Sequence, residues 1–234
     1  MKRQKAAAVL LALSLFFAVP IRAAAQESSM ESRVYPLILP AGESVSLSAE
    51  YFEMRLGLKP GEIAAITITS LPEEGSGKLM LDGVEVQIYD TIFRSELDRL
   101  CYVQDENALA ASSGWFSFIP LCTSQIHGKE DVQKVCATFQ IREQEDTEER
   151  PIVQNVFCHT SAQTPVSAAL SCMQGEVVYT ISRKPAKGTL SFEDGRCVYT
   201  PQGGQTGSDS FVLTALDRQG RLSAPIPVSV AIQK

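Results

Sequence analysis

One order of turn residues and large apolar residues occurs twice along the chain, and this repeat constrains the fold more than any other feature. The first copy reads Ile68-x-x-x-Pro72, Gly77-Lys78-Leu79, Asp82-Gly83, Tyr102 and Gly114-x-x-Ser117-Phe118. The second copy reads Ile181-x-x-x-Pro185, Gly188-Thr189-Leu190, Asp194-Gly195, Tyr199 and Gly207-x-x-Ser210-Phe211. Each half has the size of an independent module, so the repeat predicts two similar modules in series.

Short runs of β-branched and aromatic residues lie between these positions and end at Gly, Pro, Asp or Ser. In one of them, Val228, Val230 and Ile232 alternate with Ser229 and Ala231. This period of two predicts a strand with one apolar face. Many such runs, separated by turn residues about every 8 to 12 positions, favour a sandwich or a barrel.

Two Asp-Gly pairs mark sharper turns than the rest of the chain. Asp82-Gly83 and Asp194-Gly195 each lie between two apolar runs. Asp-Gly accepts the positive φ angles of a type I′ turn, so each pair predicts a β-hairpin. Ser95 and Asp98 have the spacing of a capping box, which predicts one short helical turn in the first half.

The first 25 residues have the layout of a secretory signal peptide. Lys2, Arg3 and Lys5 precede an uncharged, Ala- and Leu-rich run over residues 6–19, and Ala25 ends a run of small residues. This order predicts cleavage after residue 25 and a secreted, extracellular or cell-surface protein. The alternative is an uncleaved membrane anchor, but the apolar run is shorter than the roughly 20 residues that span a bilayer.

The charge of the chain argues against two classes of partner. The predicted leader holds four basic residues and no acid, and the whole chain has 21 Lys and Arg against 27 Asp and Glu. The remainder therefore carries a formal charge of −10. Such a surface repels phosphate, so we expect no nucleic-acid partner and no membrane insertion after cleavage.

The six cysteines are Cys101, Cys122, Cys136, Cys158, Cys172 and Cys197. They form no C-x-x-C pair, which argues against a zinc ribbon and a thioredoxin-like site. Cys122 and Cys136 bracket a polar loop between two strand-like runs, and export would allow a disulfide between them across a hairpin. The alternative is that both are buried free thiols.

An acidic segment separates the halves. Residues 143–150 read EQEDTEER, a composition typical of a solvated, self-repelling linker. We therefore predict a first domain over 26–145, a linker over 146–151 and a second domain over 152–234. A calcium-binding hinge is the alternative, although a run of acids does not by itself supply six to eight converging oxygen ligands.

The second half contains, in this order, Pro185, Gly188, Leu190, Tyr199-Thr200-Pro201, Gly207, Asp209-Ser210-Phe211, Asp217, Gly220 and Ser223. Through these residues it resembles the bacterial cadherin-like or Ig-like tandem repeats of secreted and surface proteins. The first half is similar to the proteoglycan-type cadherin-like repeat through Leu71-Pro72, Gly77, Leu79, Asp82-Gly83, Val84, Val86, Leu97, Leu100 and Tyr102. It departs from the pattern at Val103-Gln104, where the second half has Thr-Pro.

The resemblance implies an all-β chain of two tandem Greek-key Ig-like or cadherin-like β-sandwiches. It also implies use as spacers, adhesion modules or parts of larger surface proteins. Calcium can lie between repeats in such proteins, which makes Asp209 and Asp217 the candidate calcium ligands. The alternative role of these two residues is the capping of turns and strand ends.

No catalytic motif is evident in the sequence. It contains no G-x-S-x-G elbow, phosphate-binding glycine loop or H-E-x-x-H pair, so we expect no enzyme. Trp115, the only tryptophan, should face away from Phe116 and Phe118. We predict a non-catalytic structural or adhesion module that spaces, presents or binds an extracellular protein. The alternative is a carbohydrate-binding module in which Trp115 and nearby aromatics bind a glycan. Trp115 could instead be a partly buried residue with a packing role only.

Overall fold

A computed structural model describes residues 31–40, 42–105, 114–126, 135–143, 149–154, 156–193 and 196–234. These residues form β-strands in several sheets with three short helices, which confirms the predicted all-β class. The predicted signal peptide, the Asp194-Gly195 turn and residues 146–148 of the acidic linker lie outside the described residues.

The first half forms a sandwich of a five-stranded and a four-stranded sheet. Its elements are β1 (Glu31–Leu39), β2 (Ser44–Ser46), α1 (Ala49–Leu56), β3 (Ile63–Ser70), β4 (Gly77–Leu81), β5 (Val84–Glu85), β6 (Thr91–Phe93), α2 (Arg94–Leu97), β7 (Leu100–Gln104), β8 (Trp115–Cys122), α3 (Thr123–Ile126) and β9 (Val135–Glu143). The sheets have the orders β1-β9-β8-β3-β6 and β2-β7-β4-β5. β1 and β9 pair in parallel.

The second half forms a sandwich of a four-stranded and a three-stranded sheet. Its strands are β10 (Val156–Ser161), β11 (Val166–Ala168), β12 (Val177–Arg183), β13 (Gly188–Glu193), β14 (Arg196–Pro201), β15 (Gly207–Asp217) and β16 (Ile226–Gln233). The sheets have the orders β10-β16-β15-β12 and β11-β14-β13. β10 and β16 pair in parallel.

The two sandwiches share one topology. Strands β1, β9, β8 and β3 have the same order and pairing sense as β10, β16, β15 and β12, and β2, β7 and β4 correspond to β11, β14 and β13. The first sandwich adds β5, β6 and the helices. The prediction of two copies of one strand order is therefore confirmed.

Each sandwich has its own core. Tyr102 and Phe118 belong to one buried cluster, whereas Tyr199 and Phe211 belong to a second. The predicted alternation in β16 is also present, since Val228, Val230 and Ile232 are buried between exposed or half-buried neighbours. The domain limits at 145 and 152 remain predictions.

A glycine under a tyrosine recurs in both sandwiches and explains why the Gly-x-Leu motif is repeated. A Cβ atom on Gly77 would overlap the side chain of Tyr102, and one on Gly188 would overlap the ring of Tyr199. In each case the tyrosine lies on the neighbouring strand and covers the glycine. The repeat therefore reflects close packing of a ring against bare backbone.

Local signals explain the turns and helices. Asp82 and Gly83 have φ angles of 51° and 80°, which confirms the predicted type I′ turn between β4 and β5. Helix α1 was not predicted, although Ser48 caps its first turn by accepting a hydrogen bond from the Tyr51 N–H at 3.3 Å. The predicted helical turn is α2, and its first turn uses the Glu96 carboxylate rather than Ser95.

Candidate functional site

The sandwiches dock through the hairpin of residues 216–222, which we call the docking hairpin. The Ile38 N–H donates to the carbonyl of Gly220 at 2.6 Å, and the Leu222 N–H donates to the carbonyl of Ile38 at 3.1 Å. These bonds place Arg221 beside Ile38 as a parallel bridge on β1. Since β1 is an edge strand of its sheet, the docking hairpin covers part of an edge that would otherwise be open.

Asp217 holds the docking hairpin in shape. Its Oδ1 accepts hydrogen bonds from the N–H groups of Gln219 and Arg221 at 2.9 and 2.8 Å, and its Oδ2 accepts one from Arg221 Nε at 2.7 Å. Gly220 has a φ of 88°, and a Cβ there would overlap the Pro36 carbonyl. The turn therefore approaches β1 as closely as backbone allows.

Two leucines of the docking hairpin complete the core of the first sandwich. Leu216 and Leu222 are 0% and 1% exposed and belong to the first buried cluster, with Val178 packed beside them. Each buried leucine contributes roughly 1.5–3 kcal/mol relative to an exposed one. The predicted arrangement in series is thus a docked pair with a shared apolar contact.

Arg55, at the end of α1, joins both sandwiches from the side of the first. Its guanidinium donates to the carbonyl oxygens of Arg218 and Pro36, the second at 2.7 Å, and lies 5.5 Å from the ring centre of Tyr35. Tyr51 is fully buried nearby, and its hydroxyl has no partner among the described residues. Burial raises the pKa of Tyr51, Arg55 opposes this shift and Asp217 adds to it.

A groove at this junction gathers four arginines from both sandwiches, and we call it the arginine groove. It has a volume of about 470 Å³ and is lined by Tyr35, Pro36, Ile38, Arg55, Arg142, Arg218, Gln219 and Arg221. Arg218 pairs with Glu176 at 2.6 Å, and Arg221 pairs with Asp217. No local pattern in the sequence indicates this cluster, because its arginines come from three separate segments.

Trp115 lies at the start of β8 and is 39% exposed, while Phe116 and Phe118 are fully buried. The predicted alternation of these three side chains is therefore confirmed. Trp115 pairs with Gln140, which in turn pairs with Pro36 of the arginine groove. The tryptophan thus lies on the outer face of the five-stranded sheet, in the same row as Pro36 at the edge of the groove.

The two calcium candidates occupy structural positions. Asp209 accepts hydrogen bonds from the N–H groups of Ala186, Lys187 and Ser210 and from the Tyr199 hydroxyl, at 2.8–3.0 Å. Burial by itself raises the pKa of Asp209, but these four bonds outweigh it and leave the pKa below its ordinary value. Asp217 has the three bonds described above.

The same two carboxylates cannot share one ion. They lie at opposite ends of the stretch from 209 to 217 in β15, about 26 Å apart at the rise of an extended strand. Within the described residues, no three His, Cys, Asp or Glu side chains are grouped as metal ligands would be. The capping roles weighed for both residues agree with their hydrogen bonds.

The bridge predicted between Cys122 and Cys136 is not formed in the structure. β8 and β9 pair with Phe118 opposite Ala137, so the next pair in this register places Ile119 opposite Cys136. Cys122 lies three residues further along β8, about 10 Å away, beyond the reach of a disulfide. The register of the hairpin, which the sequence did not reveal, separates the two thiols.

Comparisons with known proteins agree with this fold. Residues 145–230 match the family described as bacterial Ig domain, which confirms the resemblance seen in the second half. No curated protein matches the chain. Within the described part of the chain, every helix is too short or too polar to cross a lipid bilayer.

Three solved structures align with most of this chain at TM-scores of 0.30 or less. Human protocadherin-24 EC1-2 has 11% identity and a TM-score of 0.29, with 88% of this chain and 95% of that chain covered. The Clostridium thermocellum CbhA fibronectin(III)-like modules have 8% identity and a TM-score of 0.25, with 88% and 92% covered. An endo-fucoidan hydrolase has 12% identity and a TM-score of 0.30, with 87% of this chain covered, and this chain spans 28% of its length.

Proposed function

We propose that the protein is a non-catalytic structural module, secreted or held at the cell surface, in which two docked sandwiches form a rigid spacer that presents a surface to an extracellular protein partner. The match to the bacterial Ig domain supports a structural role and an extracellular setting, since these domains are commonly extracellular or surface-associated. The signal-peptide layout of residues 1–25 supports export.

The docking hairpin is the observation that carries the proposal of rigidity. Independent modules joined by an acidic linker would reorient freely, because such linkers extend and make few contacts. Here two backbone hydrogen bonds, two buried leucines and the bonds of Arg55 oppose reorientation. A spacer needs this property, since presentation at a fixed distance requires a fixed angle between modules.

Small-angle X-ray scattering of the full chain tests the spacer role. We expect one narrow distribution of interatomic distances for the wild type. Gly220→Val, which sets a branched side chain against the Pro36 carbonyl, should broaden that distribution by displacing the docking hairpin. Gly204→Val is the matched control, because Gly204 also has a positive φ of 78° but has open space around it. A broad distribution for the wild type would refute the proposal.

The exposed face of Trp115 favours carbohydrate binding as a second candidate function. An indole that is 39% exposed on the outer face of a sheet can stack on a sugar ring. A glycan array tests this function, and we expect binding that Trp115→Ala weakens about fivefold. Phe157→Ala is the control, because Phe157 is 62% exposed but lies on the second sandwich. Absence of any glycan signal would eliminate this candidate.

A further inference from the structure

We propose that the outer face formed by Trp115 and the arginine groove binds an acidic polysaccharide, a glycan that carries carboxylate or sulfate ester groups. The indole stacks on a sugar ring, and the arginines bind the anionic groups. This inference deepens the carbohydrate-binding candidate and rests on it, and it does not depend on the spacer role.

The register of the sheet places three positions of this face in one row. Arg142 on β9 pairs with Ile38 on β1, and Ile38 forms a bridge with Arg221 of the docking hairpin. Paired residues on adjacent strands point to the same side of a sheet. Arg142 and Arg221 are therefore on the same side, with one strand between them and about 10 Å apart. The second sandwich thus supplies part of a face that begins on the first.

The neighbouring row contains the tryptophan. Trp115 pairs with Gln140, and Gln140 pairs with Pro36. Gln140 and Arg142 alternate with the buried residues Phe139 and Ile141, so Trp115, Gln140 and Arg142 all face outward. Trp115 is one strand and two residues from Arg142, which corresponds to about 5 Å across the sheet and about 7 Å along it.

Two arginines of the groove, Arg55 and Arg218, retain capacity for an anion. Arg55 has no carboxylate at ion-pair distance among the described residues, and its bonds go to two carbonyl groups. Arg218 is 59% exposed in its side chain, and its partner Glu176 is 60% exposed, so a ligand can compete with this ion pair. A guanidinium carries five donors in a planar fork that matches carboxylate and sulfate oxygens.

The combination of an aromatic platform with guanidinium groups favours a glycan over an acidic peptide. A charged sugar ring offers an apolar face for Trp115 and, on the same unit, an anionic group for Arg142. An acidic peptide satisfies the arginines but has no ring that requires the indole. The two classes therefore differ in how much they depend on Trp115.

Binding of the purified full chain to defined polymers tests the inference by isothermal titration calorimetry. Polygalacturonate carries carboxylates, dextran sulfate carries sulfate esters, and unmodified dextran carries neither. We expect affinity for one or both charged polymers, none for dextran, and a loss of about tenfold when salt rises from 0.05 to 0.5 M because the ions screen the arginines. The charged polymer that binds with the higher affinity identifies which anionic group the groove prefers.

Single substitutions locate the site. Arg142→Ala and Arg218→Ala should each lower affinity about tenfold, as expected for loss of a charge-assisted hydrogen bond. Trp115→Ala should lower it about fivefold, as expected for loss of an aromatic contact. Arg196→Ala and Phe157→Ala are the controls on the second sandwich and should leave affinity unchanged. Thermal unfolding of each variant verifies that it is folded.

Three results would overturn the inference. The first is equal affinity for dextran and the charged polymers, and the second is no change on substitution of Arg142 and Arg218. The third is polyglutamate or single-stranded DNA binding as tightly as the glycans with no loss on Trp115→Ala, which would make the groove a general anion site. Failure of the spacer proposal would appear only in the scattering experiment, so the two outcomes are separable.

Discussion

The two sandwiches have the same strand order but provide different hydrogen-bond acceptors for the hydroxyl groups of their central tyrosines. In the second sandwich the Tyr199 hydroxyl donates to the Asp209 carboxylate at 2.8 Å. In the first sandwich the position that corresponds to Asp209 is Phe116, which is fully buried, and the Tyr102 hydroxyl donates to the Ser76 carbonyl at 2.6 Å. The ring over the glycine is thus the shared feature, and its hydrogen-bond partner varies with the module.

The sandwiches also differ in how far each depends on the other. Leu216 and Leu222 come from the second sandwich but lie in the core of the first. The second core contains only residues of the second half among those described. The edge strand β1 is covered by the docking hairpin, whereas the edge strand β10 exposes Phe157. Docking therefore completes the first sandwich more than the second.

Truncation of Leu222 should have the largest effect, because it removes a side chain that the second sandwich contributes to the core of the first. Leu222→Ala should lower the free energy of unfolding of the first sandwich by about 2–5 kcal/mol, because it leaves a cavity in that core. Hydrogen exchange should show faster exchange at Leu37 and Leu39 than at Val228 and Val230. Leu190→Ala, on the second sandwich, is the matched control and should produce the opposite pattern. Equal loss of protection in both halves would contradict the asymmetry.

Removal of each tyrosine hydroxyl should have a smaller effect on the free energy of unfolding, and the two values compare the two hydrogen bonds. Tyr199→Phe should destabilise by about 1.5–3 kcal/mol because it removes a hydrogen bond to a charged acceptor. Tyr102→Phe should cost about 1 kcal/mol because its acceptor is a neutral carbonyl. Urea unfolding of the two variants measures both values, and an equal cost would show that the charge of Asp209 contributes nothing at this site.

The smallest effect concerns pH and acts on the second sandwich alone. The pKa of Asp209 is lower in the folded chain than in an unfolded one, where it is about 3.9. The ionised Asp209 carboxylate therefore stabilises the fold above about pH 4, and this stabilisation is lost as the pH falls through the pKa of Asp209 in the folded chain. Urea unfolding should show that the free energy of unfolding differs less between pH 7 and pH 3 for Asp209→Asn than for the wild type. An unchanged difference would mean that other carboxylates account for the acid sensitivity.

Strands and turns were predictable where the signal is local. The alternation of β16 was predicted and is present, and Asp82-Gly83 forms the expected turn. β1 was missed because Pro36 interrupts its apolar pattern, and an edge strand tolerates a proline that a central strand would not. Helix α1 was missed because its eight residues complete only about two turns, too few to show a helical period in the sequence.

The candidate site was predictable only in part. The outward direction of Trp115 follows from alternation along one strand, so the sequence was sufficient for it. The disulfide prediction failed because the register of β8 and β9 depends on packing of Phe116, Phe118 and Phe139, which sequence spacing does not show. The arginine groove was missed because its members approach one another only when the sandwiches dock.

Local sequence is sufficient to predict the turns and the strand alternation, because φ preferences and side-chain periodicity act within a few residues, and the repeated order of residues predicts two modules. The folded structure is needed to show that Gly220 lies against Pro36, that Leu222 enters a core built by the other half, and that Arg55, Arg142 and Arg221 share one groove. Those contacts join residues more than 60 positions apart, and their formation depends on the complementary shapes of two folded surfaces.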